Sequence, residues 1–567
     1  MSQHTAFLNA IRANSDEDTP RLAFADWLAE QGEGDRSEFV RAQIEQTHLS
    51  PDDDRQSVLH AKELRLLAKH GVAWTAGPPI LRTARFRRGF AEFLGAPAAA
   101  LAEQLSEVVS LAPIRELWIT NMGDADGLGA KLAELSALEG IDAIGISDMN
   151  SEMTPAEQLI QLFSSPHLRR IRKLTMFCPA CTPEVLDQLL SLPALQHVES
   201  LHFNGGLTAD DAIGILAKHP KLPIRAFRAH KGPHGTWAMS LAGLYALAHS
   251  GHWQRLEELN VGIRSNPELL TRVAEGLPHS GIHTLWLHNG ISETGEGGFF
   301  SYQLGSQDYG IEAFAAADSW GKLRDLRFEY IEMNRGQLPA LLAAKPLANL
   351  TRLSIFGGML GPDQAAELFR CQALAGLRTL ELSGNFALGP GLADHLVSAT
   401  HLTNLTDLRL IWVQGTDAVA EAVARSPHFA KLRNLELANN YVSVRGMKTL
   451  GGSPYLSRVN RLRLFEHPYG PWQRLLHHFD PQIFRMTAEA SAALASGLPN
   501  LGCLELHGYD FPDDSFAPLL ATSERLWITA DLRRIDSPTA NAEYAQRTQE
   551  LWVPPLDRYV EEEEPFP

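Results

Sequence analysis

One pattern recurs along most of this chain: an apolar residue, two residues, an apolar residue, one residue, an apolar residue. It first reads Ile114-Leu117-Ile119 and last reads Leu501-Leu504-Leu506. Fourteen such units start at positions 114, 141, 171, 198, 224, 256, 282, 323, 350, 377, 405, 432, 459 and 501, and a worn fifteenth lies at Leu526-Trp527-Ile528. Ten of the thirteen intervals fall between 26 and 30 residues. A period of that length means stacked supersecondary units, because one unit cannot bury its apolar face alone.

Each unit carries a second signal. After the short strand come a loop, a helix start and an amphipathic run. Thr154-Pro155-Ala156-Glu157 has the form of a capping box with proline at the first helical position. Thr182-Pro183-Glu184 and Asn266-Pro267-Glu268 repeat the cap-then-proline signal. Thr208-Ala209-Asp210-Asp211 puts acids at the positive end of a helix dipole. The unit is strand, loop, helix, return. Alternation along the strand sends Leu117 and Ile119 into the core and the residue between them to solvent.

A chain of 567 residues with 44% hydrophobic content can support such an array. Its net charge of −17 argues against a nucleic-acid binder, which needs a basic face, and against docking on anionic lipid. No run of 18 apolar residues occurs, and no basic-then-apolar leader precedes Asp16. Four cysteines, at 178, 181, 371 and 503, do not make a disulfide scaffold. A cytoplasmic location is the expectation.

The repeat resembles the leucine-rich-repeat family, in the helix-bearing class of ribonuclease inhibitor, over residues 111–535. That resemblance implies an α/β fold: a right-handed solenoid with parallel strands on the concave face and helices on the convex one. The family places Asn or Cys three residues past the last strand leucine, where it binds loop backbone. Asn385 and Asn440 follow this rule, whereas Pro179, Gly206, Gly290 and Gly358 depart from it. Ahead of the array, Pro20-Arg21-Leu22-Ala23-Phe24-Ala25-Asp26-Trp27-Leu28 and Arg36-Ser37-Glu38-Phe39-Val40-Arg41 resemble the bacterial repeat-companion domain. The expected organisation is a small helical domain over residues 1–50 and a helical linker with N-terminal cap over 51–110. The solenoid spans 111–535, with a C-terminal cap and acidic tail over 536–567. Asp26, Trp27, Arg36, Glu38 and Arg41 form either a docking surface or, more simply, internal ion pairs around a core Trp.

The candidate chemistry is sparse. Cys178-Pro179-Ala180-Cys181 lies between a strand and a helix start, a setting that suits redox exchange or, with further ligands, a metal. The repeat phase offers a plainer account, since Leu207, Ile291 and Leu360 stand where Cys181 does. His230, His234, His249 and His252 lack the spacing of a metal pair on one helix. No nucleophile elbow or kinase signature is present. The chain is therefore expected to be no enzyme and to need no cofactor.

A partner surface can be read from register. The concave face should present Trp118, Phe177, His202, Arg228, His230, Trp286, His288, Arg327, Glu329, Phe356, Glu381, Arg409, Arg463 and Phe465. Two long units, of 41 and 42 residues, carry insertions with Phe299, Phe300, Tyr302 and Tyr309 in the first and Tyr469 and Trp472 in the second. Aromatic loop residues are typical anchors. Mixed charge with Trp, Phe and Arg fits a protein partner better than nucleic acid or membrane. The expected role is a protein-interaction scaffold. The alternatives are a redox or metal protein built on Cys178 and Cys181, a GTPase regulator and a self-assembling structural protein.

Overall fold

A computed structural model of the chain describes residues 3–49, 53, 55–148, 153–204, 207–230, 238–263, 266–289, 308–317, 319–333, 336–464, 485–512, 514–522 and 527–530. The protein divides into two compact units, Met1–Phe24 with Thr75–Ile331 and Ala25–Trp74 with Glu332–Pro567. Each is a repeat solenoid segment of parallel strands alternating with helices.

Four helices open the chain: α1 (Gln3–Ala13), α2 (Thr19–Glu30), α3 (Gly34–His48) and α4 (Arg55–Trp74). α1 and the first half of α2 belong to unit 1, where α5 (Ala98–Leu111) precedes the repeats, and α3 and α4 belong to unit 2. The strands of unit 1 are β1 (Arg85–Arg87), β2 (Phe90–Pro97), β3 (Glu116–Thr120), β4 (Ala143–Ser147) and β5 (Lys173–Phe177). They continue as β6 (Ser200–Asn204), β7 (Ala226–His230), β8 (Glu258–Ile263), β9 (Thr284–Asn289) and β10 (Asp325–Glu329). β1 and β2 form an antiparallel hairpin turned at Arg88 and Gly89, both in left-handed backbone. From β2 to β10 every strand is parallel to the next. One register row runs Leu94, Leu117, Ile144, Leu174, Leu201, Phe227, Leu259, Leu285, Leu326, and none of these is more than 1% exposed.

Unit 2 repeats the arrangement with β11 (Arg352–Phe356), β12 (Thr379–Glu381), β13 (Asp407–Arg409), β14 (Asn434–Glu436), β15 (Arg461–Arg463), β16 (Cys503–Leu506) and β17 (Trp527–Ala530). All six pairings are parallel, along the row Leu353, Leu380, Leu408, Leu435, Leu462, Leu504, Ile528. The worn fifteenth unit is thus a real strand, with Ile528 in the leucine place.

Helix starts follow the sequence signals with one exception. Thr182 and Asn266 cap their helices ahead of Pro183 and Pro267, and Thr208 and Asp211 close a full capping box. Thr154 does not cap. Its hydroxyl and amide both bind Asp148, at 2.5 and 3.0 Å, and Pro155 takes the cap position without a side-chain bond. A carboxylate one strand-end away competes successfully for the threonine.

Two asparagines tie the loops of unit 2. Asn385, fully buried, donates to Ile355 O and Leu382 O and accepts from Leu360 N. Asn440 donates to Leu410 O and accepts from the amides of Val413 and Gly415. At several places without the asparagine a buried side chain stands instead: Met122 and Ile331 in unit 1, Val413 and Tyr509 in unit 2. Met122, Ile331 and Val413 replace the side-chain ties by packing, whereas the Tyr509 hydroxyl donates to Val442 O at 2.9 Å.

The N-terminal helices are bound by specific polar contacts. In unit 1 the α1–α2 loop is gripped by arginines. Ser15 O accepts from Arg21, Arg88 and Arg115, at 3.1, 2.5 and 3.0 Å. Asp16 pairs with Arg115 at 2.9 Å and Arg172 at 3.3 Å. Beneath the loop, buried Arg21 pairs with buried Glu92, and Phe24 packs on Phe90 with ring centroids 5.4 Å apart. In unit 2, Arg36 lies 4.5 Å over the Trp74 ring, Glu38 pairs with Lys62 at 2.6 Å, and Arg41 pairs with Asp26. Trp27 is half-buried. The charged residues of this segment that could have formed a docking surface are engaged within the chain.

Two predictions follow from these contacts. Leu380→Ala should cost about 2–5 kcal/mol, as a cavity in a fully buried row, and Asn440→Ala about 1–3 kcal/mol, as amides left unsatisfied. Denaturant titration measures both, and a neutral result for Leu380 would refute the register. The second concerns Asp16. Partial burial raises its pKa, but hydrogen bonds and charge from Arg115 and Arg172 outweigh this and lower it overall. A carboxyl lowered in the folded state contributes stability above its unfolded pKa of about 3.9 and loses it as pH falls through the folded value. Acid unfolding of Asp16→Asn should therefore show a weaker pH dependence below about pH 4 than the wild type.

Candidate functional site

Side chains at the first, third and fifth strand positions share the face opposite the leucine row. Unit 1 sets Trp118, Gly145, Thr175, His202, Arg228, Asn260, Trp286 and Arg327 in one register row across this face. The Trp118 ring lies across Gly145, where a Cβ would overlap it. Phe177 meets Trp118 edge-on at 5.4 Å, and His202 meets Phe177 at 4.9 Å. Trp118 and Phe177 remain half-buried.

The other predicted residues differ in availability. His202, Trp286 and His288 are 6%, 9% and 2% exposed, which corrects the expectation that they project to solvent. Their neighbours on the same face close over them. His288 Nε2 is hydrogen-bonded to Ala229 O at 2.9 Å, and the Arg327 guanidinium covers Trp286 at 5.1 Å from the ring centre. Arg327 is itself held by both Asp325 oxygens, at 3.0 and 2.8 Å. Arg228 is held by Glu258 in the same bidentate way. Glu329 is half-buried. His230 ends β7, and its side chain lies outside the described set.

On the face of unit 2 the third strand position alternates in charge. Glu381, Arg409, Glu436, Arg463 and Glu505 follow one another from β12 to β16. Ser354 donates to Glu381 at 3.0 Å, Arg409 and Arg463 approach Glu436 at 3.8 and 3.4 Å, and Arg463 and Arg461 bind Glu505 at 2.9 and 3.0 Å. This face neutralises itself. Phe356 is half-buried at the strand end.

Of the insertion residues only Tyr309 is described. It is 2% exposed, beside the helix Ile311–Ala316, so it is a packing residue and not a free anchor. Phe299, Phe300, Tyr302, Phe465, Tyr469 and Trp472 lie outside the described residues.

The register reading left out the first strand position, which faces the same way. Glu258, Asp325 and Arg461, the partners that fix Arg228, Arg327 and Glu505, all stand there. Period 2 alone was enough to find them.

Cys178 and Cys181 are both fully buried, in a tight turn closed by Cys181 N to Cys178 O at 3.1 Å. Burial pushes the Cys181 thiol up to about 12. Burial, and then the Asp148 carboxylate, push Cys178 up further. The capped helix Pro183–Leu190 that follows does not offset this. Cys181 fills the apolar loop place of Leu207 and Leu360, which are also buried. Among the described residues no group of three or more His, Cys, Asp or Glu could hold a metal ion. His252, fully buried, binds Leu216 O at 3.1 Å, and exposed His249 binds Tyr245 O, so the two histidines serve separate backbone carbonyls. No helix among the described residues is long and apolar enough to cross a membrane.

A scan of known protein families and a search of curated proteins return no match to the chain. Among solved structures the chain is similar to one from the crystal structure of the Rad7 and Elc1 complex in yeast. The alignment has a TM-score of 0.40 and 14% identity, over 82% of this chain and 95% of that one. A likeness this loose adds nothing to what the strand pairing establishes.

A thiol-reactive probe on the native protein at pH 8 should label Cys178 and Cys181 far more slowly than Cys371 and Cys503, which are half-buried. The difference should vanish on unfolding. Rapid native labelling of the pair would revive the redox alternative.

Proposed function

We propose that this chain is a protein-interaction scaffold of the leucine-rich-repeat type, carrying a companion module at its N-terminus and working in the reducing cytoplasm of a bacterium without catalysis. The partner binds the strand face of unit 1. The carrying observation is the half-buried Trp118–Phe177 pair, spread over Gly145 on that face. Aromatic rings with adjoining bidentate arginines are the usual anchors of protein interfaces. The self-paired ladder of unit 2 offers less, because each charge would have to give up a partner in order to bind another.

The test is capture of partners from native lysate by the purified full chain, beside Trp118→Ala/Phe177→Ala. Matching circular dichroism melts would establish that both are folded. A protein held by the wild type and lost, or weakened roughly tenfold or more, in the double variant supports the reading. Identical capture by both moves the site off this face, and no capture by the wild type counts against a scaffold altogether.

A further inference from the structure

The loop between α1 and α2 in unit 1 is surrounded by more donors than its acceptors can satisfy. Ser15 O accepts from three guanidinium groups, those of Arg21, Arg88 and Arg115, although a carbonyl oxygen has only two lone pairs. Arg21 is fully buried, and its Nε and Nη1 have no acceptor. Arg172 pairs with Asp16 through Nη1 at 3.3 Å, while its buried Nε has no acceptor either. A charged donor kept from water without an acceptor is costly. The acids close by are already committed: Glu92 to Arg21, Asp142 to Arg115, Asp18 to Arg88 at 3.5 Å, and Asp16 to Arg115 and Arg172.

The residue on which these groups converge is a serine. Its hydrogen bonds to the arginines all go to the carbonyl oxygen, which leaves the hydroxyl free. Ser15 is half-buried, and Asp16 and Glu17 beside it are exposed, so solvent reaches one side of the loop. The Asp16 carboxyl reports the potential on that side. Partial burial raises its pKa, yet hydrogen bonds and charge from Arg115 and Arg172 lower it overall. An anion is favoured there. Asp16 meets Arg115 and Arg172, however, and leaves the buried nitrogens of Arg21 unmet.

We propose that Ser15 is a phosphorylation site whose phosphoryl group is held by the arginines that already converge on its carbonyl. A protein kinase transfers the γ-phosphoryl group of ATP. The bond from Ser15 Oγ to phosphorus forms, the bond from that phosphorus to the β-phosphate oxygen breaks, ADP leaves, and the hydroxyl proton passes to the base of the kinase. The product carries a charge of about −2 and three strong acceptor oxygens. Carbonyl and hydroxyl belong to one residue, so a guanidinium that reaches the first needs only its own side-chain torsions to reach the second. Opposite an arginine cluster a phosphoryl group orders the segment that bears it. Here it would fasten the α1–α2 loop onto the starts of two strands. Arg115 stands just before β3 and Arg172 just before β5, the strands of Trp118 and Phe177. The proposal does not depend on what those two aromatic residues bind.

The test uses the full chain with phosphoserine incorporated at position 15, beside the unmodified chain. Phosphorus NMR follows the titration of the phosphoryl group, whose second pKa is ordinarily about 6. The expected value is at least about one pH unit lower, partly restored in Arg172→Met, with a thermal midpoint above that of the unmodified chain. Arg172 is partly exposed and its side chain pairs with Asp16, so the variant should fold where Arg21→Met would not. An ordinary pKa would put the phosphoryl group in solvent and overturn the clamp. So would a lowered midpoint, which means repulsion from Asp16 and Asp18, or a value unchanged in Arg172→Met. Native lysate with γ-labelled ATP should label the wild type and not Ser15→Ala. No label, or equal label in both, removes Ser15 as the acceptor. Inorganic phosphate is added to Ser15→Ala with and without Arg172→Met. A midpoint that phosphate raises only when Arg172 is present would assign the arginines to a free anion instead. None of these failures touches the capture experiment on Trp118 and Phe177.

Discussion

Burial of the second strand position against the same position in the next repeat is the contact on which the rest depends. A single strand of three to six residues with one short helix has no interior of its own. Stacking gives it one, because Leu380 is enclosed between Leu353 and Leu408, and each of these between its own neighbours. The order of the backbone hydrogen bonds, the place of the loops and the outward direction of the third position all follow once that row is in register. A shift of one residue in any strand would bury its charges and expose its leucine.

That constraint also shapes the opposite face. Parallel strands in register bring like positions together, so a charge at the third position always has third-position neighbours about 4.8 Å away. Unit 2 meets this by alternating sign from Glu381 to Glu505, which turns forced proximity into pairing. Unit 1 meets it by using few charges in that row and fixing each to the first position of its own or a neighbouring strand, as Arg327 is fixed to Asp325 and Arg228 to Glu258. A glycine at 145 leaves room for the largest side chain of the row to lie flat. The two faces have different capacities for an outside partner because they solve the same crowding differently.

Much of this was legible in the sequence, because the repeat phase is a period-2 signal with an apolar residue, most often leucine, at each beat. The strands, the N-terminal helices and the caps at Thr182, Thr208 and Asn266 follow from local patterns, whereas the antiparallel hairpin at Arg88 and Gly89 does not. What was not legible depends on how loops close in space and which side chains they bring together. Asp148 captures Thr154 because a strand end and a helix start meet in space. Tyr309 is buried just ahead of the helix Ile311–Ala316, which its place in an insertion does not reveal. Trp286 and His288 are in register on the open face yet shielded by Arg327 and the carbonyl of Ala229, which alternation alone does not reveal.

A repeat protein supplies its own controls. The same backbone bend is built many times, with the same hydrogen bond to the next repeat, so the residue types at that bend sample what the fold tolerates. Gly, Asn and Gly at 357, 439 and 508 are what steric strain alone would select. Met122, Ile331 and Val413 in the asparagine place are still folding solutions, since each is fully buried and replaces a hydrogen bond by packing. Trp412 and Tyr330 hold that bend with left-handed backbone and half-buried aromatic rings, one in each unit, so the strain that glycine avoids is met twice by an aromatic side chain. In an array whose repeats share one geometry, departures that packing compensates are divergence, and a departure that packing does not compensate is where selection for something other than folding is to be sought.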